Sequence, residues 1–146
     1  MIPAFKFRWL YLVILGLLPA LLTACGITYP PSGGSLTGIV WQLQNVQFDG
    51  SNTSTTVNQP ANYTIEFKTD GTAQIKADCN TANFGYSTSG YQLTMTAGPT
   101  TLVFCGSHSL SEPYLQALEH ATSYSLQGDT LTINTGLNGY MNFKKA

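Results

Sequence analysis

Between Lys76 and Cys105 the chain reads KADCNTANFGYSTSGYQLTMTAGPTTLVFC, and this stretch decides the fold. Its cysteines, Cys79 and Cys105, are the only two outside the N-terminal segment. The apolar side chains between them come in short runs broken by turn formers. Phe84-Gly85-Tyr86 is followed by Ser89-Gly90, then Gln92-Leu93-Thr94-Met95, and Leu102-Val103-Phe104 leads into Cys105. Runs of that length, punctuated by glycine, read as strands. The chain has three cysteines, so an exported protein leaves one over, and Cys25 accounts for it. Cys79 and Cys105 then pair as a disulfide in an oxidising compartment. A Cys₂His metal site with His108 is the other chemistry open to these residues. Exported thiolates tend to oxidise, however, and no carboxylate completes an obvious set, so neither a metal nor a cofactor is expected.

Working outward, the flanking sequence keeps the same rhythm. Tyr63, Ile65 and Phe67 alternate with Thr64 and Glu66, the period of a half-buried strand. Asp70-Gly71 reads as a two-residue type I′ hairpin turn, and Ala73, Ile75 and Ala77 then share one face of the partner strand. Upstream, Val40-Trp41-Gln42-Leu43 opens the domain with Trp41 as a core anchor, and residues 49–61 form a polar loop. Downstream, Ser109-Leu110-Ser111-Glu112 matches a capping box. Leu110, Tyr114, Ala117, Leu118 and Ala121 then recur at helical spacing. Tyr124 with Leu126, a Gly128-Asp129 turn, Leu131 with Ile133, and Met141 with Phe143 close the pattern. The expected fold is mainly β, or α+β: a strongly curled antiparallel sheet or barrel of roughly eight strands with one packed α-helix.

The N-terminus carries a different signal. Residues 1–24 read as a lipoprotein signal peptide, with Lys6 and Arg8 before an apolar run from Trp9 to Leu18. That run, interrupted by Pro19, is short of the ~20 residues a spanning helix needs. Leu22-Thr23-Ala24-Cys25 resembles a lipobox, with Cys25 as the lipidated residue. Residues 25–35 form a Pro/Gly/Ser-rich tether, and residues 36–146 form the domain. Cleavage before Cys25 leaves four lysines against seven carboxylates, a formal charge of −3. Charged residues make up 9% of the chain against a usual ~25%, and no arginine follows Arg8. Such a surface excludes nucleic acid as a partner and offers no polybasic membrane patch. The acyl chains alone then hold the protein to the membrane.

Gly38-Ile39-Val40-Trp41-Gln42-Leu43, Cys79-Asn80, Phe84-Gly85-Tyr86, Thr101 four residues before Cys105, Glu112 with Tyr114 and Leu118, and Gly128-Asp129-Thr130-Leu131 occur in an order that resembles the META domain, also called HslJ-like. The resemblance covers nearly all of residues 36–145. Asp78 stands where the family usually has glycine, which argues against a glycine-only backbone there. Val103-Phe104 replaces a common Met-Ala. The resemblance implies a small lipocalin-like barrel with a helix, often lipid-anchored in bacterial envelopes. It also implies links to stress and antibiotic tolerance and to secretion or virulence, and it brings no catalytic residues.

The remaining chemistry points the same way. Ser107-His108 has no orienting acid, and His120 lies near a helix end, where it suits the dipole. Glu112 belongs to the cap, and Asp70 and Asp129 to turns. Asp49, Glu66, Asp78 and Glu119 show no acid/base spacing. Tyr63, Phe67, Tyr86, Tyr91 and Tyr124 read as core. The expectation is a non-enzymatic, monomeric envelope lipoprotein with an interaction or stress-tolerance role, presenting the 49–61 loop to an envelope protein. It would sit in the outer membrane where the cell has one, or on the outer face of the plasma membrane otherwise. The alternatives are a small-molecule-binding barrel or an inhibitor of an exported hydrolase such as lysozyme.

Overall fold

A computed structural model describes residues 35–146. Cys25 and most of the 25–35 tether lie outside the described residues. From Val40 the chain lays down nine strands: β1 (Val40–Gln47), β2 (Thr55–Thr56), β3 (Tyr63–Phe67), β4 (Thr72–Ala77), β5 (Asn80–Ser89), β6 (Gln92–Thr96), β7 (Ala121–Gln127), β8 (Thr130–Thr135) and β9 (Tyr140–Lys145). The helix α1 (Ser111–Glu119) lies between β6 and β7. Every strand pair is antiparallel, and β1 pairs with β9, so eight strands close into a barrel while the two-residue β2 flanks β1.

Alternation sets which face is inside. Tyr63, Ile65 and Phe67 on β3 and Ala73, Ile75 and Ala77 on β4 are buried, whereas Gln74 and Lys76 face solvent. Beside β3, Trp41 and Leu43 on β1 join this face, as do Leu131 and Ile133 on β8 and Met141 and Phe143 on β9, each almost wholly buried. Trp41 satisfies its indole N–H by donating to the Leu36 carbonyl at 3.1 Å. Among the described residues these side chains fill one continuous core.

The seam between β6 and β7 is thin. Only Gln92 and Ser123 stand in register, assisted by the Tyr124 N–H donating to the Tyr91 carbonyl at 2.9 Å. α1 packs against β4 and β6 and inserts Tyr114, Leu115 and Leu118 into the core, compensating for the missing ladder.

Local chemistry differs from expectation at several points. Asp70-Gly71 is not a two-residue type I′ turn. Only Gly71 has positive φ (83°), and the Lys68 N–H donates to the Thr72 carbonyl, leaving three residues in the loop. Asp70 instead accepts from the Thr72 N–H and hydroxyl, and these bonds hold its carboxyl below the usual range. The capping box is absent: α1 begins at Ser111, so Glu112 falls one position too early to reach back. Ser109 accepts from the Ser111 N–H in its place. Ala121 opens β7 rather than extending the helix. The 49–61 segment is not all loop, because Thr55–Thr56 pairs with β1 and Val57 is buried. Tyr91 is 68% exposed, since the hairpin turn is Gly90-Tyr91 and puts its ring at the tip.

Candidate functional site

The two central cysteines meet where β4 turns into β5 and the chain approaches α1. Ala77 and Asn80 are in register, so Asp78-Cys79 forms a two-residue turn. Asp78 takes φ = 59°. The backbone here is in the left-handed region that glycine favours, but it is not restricted to glycine, in keeping with the aspartate. A short polar side chain is among the few that tolerate this conformation. Cys79 forms a disulfide with Cys105, their Cα atoms 5.6 Å apart. Both sulfurs are thereby used, and the Cys₂His alternative loses its thiolates. His108 is exposed in the following loop. Among the described residues no group of three or more His, Cys, Asp or Glu is arranged to hold a metal.

Beside the disulfide, Asn80 is buried and uses its whole carboxamide. Its Nδ2 donates to the Val103 carbonyl and to Ser111 Oγ, each at 2.9 Å, and lies 3.2 Å from Cys105 Sγ. Its Oδ1 accepts from the Val103 N–H at 2.7 Å and from Thr101 Oγ1 at 3.1 Å. One side chain thus ties three pieces of chain together. Losing it would strip partners at once from the Val103 main chain, the Thr101 hydroxyl and the buried Ser111.

The segment that Asn80 clamps differs most from its sequence reading. Leu102-Val103-Phe104 is not a core strand; its residues are 86%, 60% and 85% exposed. The backbone cannot swing inward. The Asn83 N–H donates to the Pro99 carbonyl and the Thr101 N–H to the Thr81 carbonyl, both at 3.0 Å. Gly98 makes that approach possible, because a Cβ there would collide with the Asn83 carbonyl. Three consecutive apolar side chains are therefore held in water by a rigid backbone. Together with Ser107, Ser109 and Pro113 they line a groove of about 520 Å³ running to the first turn of α1.

A second polar cluster was not legible in the sequence. Asp49 Oδ1 accepts from the Thr135 hydroxyl, the Leu137 N–H (3.0 Å) and the Gly139 N–H (3.1 Å). Its Oδ2 lies 3.5 Å from His120 Nδ1. Burial is the largest single influence and raises the Asp49 pKa, but these donors and His120 together bring it below its ordinary 3.8. Gly139 must lack a Cβ, which would run into Asp49 and Thr135. His120 does end α1, as its sequence position suggested, and it faces a carboxylate as well. Nothing within this cluster is placed as a nucleophile; it pins the β8–β9 turn to the end of β1.

Glu66 pairs with Lys68 at 2.6 Å and Asp129 with Lys145 at 3.4 Å, both at the surface. Tyr63 and Phe67 are core, Tyr86 and Tyr124 are half-buried against it, and the Tyr86 hydroxyl donates to the Lys68 carbonyl at 2.7 Å.

Residues 34–146 match the sequence model of the META domain. Two solved structures share the fold. A crystal structure of a DUF4847 family protein from Bacteroides vulgatus has a TM-score of 0.60 at 14% identity, covering 75% of this chain and 93% of that one. The NMR structure of a protein from Burkholderia xenovorans has a TM-score of 0.60 at 18% identity, covering 76% and 83% respectively. Among curated proteins, none matches the sequence.

Proposed function

The chain belongs to the META-domain family, and from that premise we propose that it is a non-enzymatic, lipid-anchored protein of the cell envelope that works by binding another envelope protein. The observation that carries this reading is the clamped display of Leu102, Val103 and Phe104 beside the Cys79–Cys105 disulfide. Large apolar side chains held rigidly in water are costly to a lone domain and useful to an interface, because the partner does not have to order them. The binding surface therefore moves from the 49–61 loop to residues 100–107. The filled core argues against a carrier that uses the barrel interior. An inhibitor of an exported hydrolase would use the same projecting segment, and slowing of lysozyme by the purified protein separates that narrower reading.

Lipidation of Cys25 supplies the anchor. β4 separates the end where the chain comes in, beside Phe67, from the end that carries the disulfide. At ~3.3 Å per residue that strand is about 20 Å long, so the apolar segment lies away from the tethered end. The test places a photo-crosslinking residue at position 104 and, as a control, at exposed Lys144 on β9 in the membrane-bound protein. Discrete protein adducts from 104 and none from 144 are expected, and Cys25→Ala should move the protein to the soluble fraction. Absence of adducts at 104 overturns the binding surface, and persistent membrane attachment of Cys25→Ala overturns the anchor.

A further inference from the structure

We propose that residues 100–104 are an open strand edge that accepts an extended segment of the partner protein as an additional β-strand, laid in the groove between this edge and the first turn of α1. The proposal rests on the interaction reading above and names the kind of partner it fits. Along this segment the odd-numbered residues are satisfied toward β5. Pro99 accepts from Asn83, Thr101 donates to Thr81, and Val103 both donates to and accepts from the Asn80 carboxamide. Asn80 thus takes the place of one more residue of a β-ladder. In an antiparallel strand the groups of the intervening residues point the opposite way. The main-chain N–H and C=O groups of Thr100, Leu102 and Phe104 have no hydrogen-bond partner among the described residues. Closure removes free edges from a barrel, and proteins blunt those that remain with lysine, proline or charge. Here the edge carries Leu102, Val103 and Phe104 instead.

The chemistry of the edge selects its occupant. Donors and acceptors alternating along an extended line are matched by another polypeptide backbone, with side chains falling to either side for specificity. A bilayer would strip these groups of water and give them no partner. Two copies of this chain pairing edge to edge would bring both Glu112 carboxylates, the one charged side chain lining the groove among the described residues, into one groove. The fitting segment is therefore apolar at alternate positions and neutral or basic. The groove is preformed, because Asn80 bonds both Val103 on one wall and Ser111 on the other, and the disulfide fixes the end of the edge.

The test presents the intact protein, purified in detergent, to an immobilised library of short synthetic peptides. Selected peptides should be apolar at alternate positions and free of Asp and Glu. In the best binder, N-methylation of the amides on one edge should lower affinity by about tenfold or more, while methylation of the intervening amides leaves it unchanged. Leu102→Asp and Phe104→Asp should each lower affinity by about tenfold with circular dichroism and the disulfide intact. Three results would overturn strand addition: no selection, binding indifferent to N-methylation, or occupancy of the edge by something else. The last would appear as a concentration-dependent dimer broken by Leu102→Asp, or as phosphatidylcholine vesicle binding by the Cys25→Ala protein that is lost when Phe104→Asp is added. Cross-linking from position 104 without peptide binding would leave the interaction reading standing and remove strand addition alone.

Discussion

Asp78 holds φ = 59° at the first position of the β4–β5 turn, where glycine would be free of strain and a β-branched residue would not. Gly90 and Gly128 open the corresponding two-residue turns of the next hairpins with φ of 59° and 57°. Asp78→Val should therefore lower stability by ~1–2 kcal/mol. Asp78→Gly should leave it within about 0.5 kcal/mol of wild type or raise it, because the relief of strain offsets glycine's larger unfolded-state entropy. Urea midpoints at constant slope decide the order. Asp49 makes the other prediction at this scale. Its folded pKa lies below the 3.8 of the free group, so its stabilisation is complete above the unfolded value and is lost as pH falls through the folded one. Asp49→Asn should cost ~1–3 kcal/mol at pH 7 by removing a charged acceptor from three donors. It should also flatten the fall in stability below about pH 4, as thermal melts across an acid series would measure.

At the scale of elements, α1 carries a defect that marks its role. Tyr114 is fully buried, edge-on to Tyr63 at 5.8 Å and tilted against Phe143 at 6.3 Å, but its hydroxyl has no hydrogen-bond partner among the described residues. Burial drives the phenol pKa far above its ordinary range, so the group stays neutral. Tyr114→Phe keeps the ring packing and removes the orphan, and should stabilise the barrel by about 1 kcal/mol or more. A melting temperature that falls instead would point to a buried water completing the site. The ring matters at this position because the helix seals the thin β6–β7 seam, a job that composition alone did not reveal. What was legible was mostly local: alternation on β3 and β4 and the helical recurrence of Tyr114, Ala117 and Leu118, with the Cys79–Cys105 pairing beside them. What was not legible depends on distant partners. The β1–β9 closure joins residues about a hundred positions apart, and Asp49 finds its donors 86 to 90 residues away. Leu102-Val103-Phe104 misled because an unbroken apolar run has no period that shows which face is wet. Its exposure follows from Asn80 and Gly98, which fix the backbone before the side chains can choose.

For the whole molecule, closure and the disulfide do different work, and this separates stability from function. The barrel closes through β1 and β9, neither of which carries a cysteine, and its core is continuous from Leu36 to Phe143. Cys79 and Cys105, 26 residues apart, constrain mainly the unfolded chain. In the chain-entropy model that is worth about 3.5 kcal/mol. The paired Cys79→Ser, Cys105→Ser variant should accordingly fold, with a lower urea midpoint and unchanged far-ultraviolet circular dichroism. Its loss should fall unevenly on the binding surface. Residues 100–104 would keep Asn80 but lose the covalent end of the clamp, so amide exchange at Thr101 and Val103 should accelerate more than at Ile65 or Leu131 in the core. Cross-linking from position 104 should then weaken, since a loosened edge must be reordered on binding. If the edge amides instead stay as protected as in the oxidised protein, Asn80 alone holds the surface, and the disulfide serves only to keep the barrel folded.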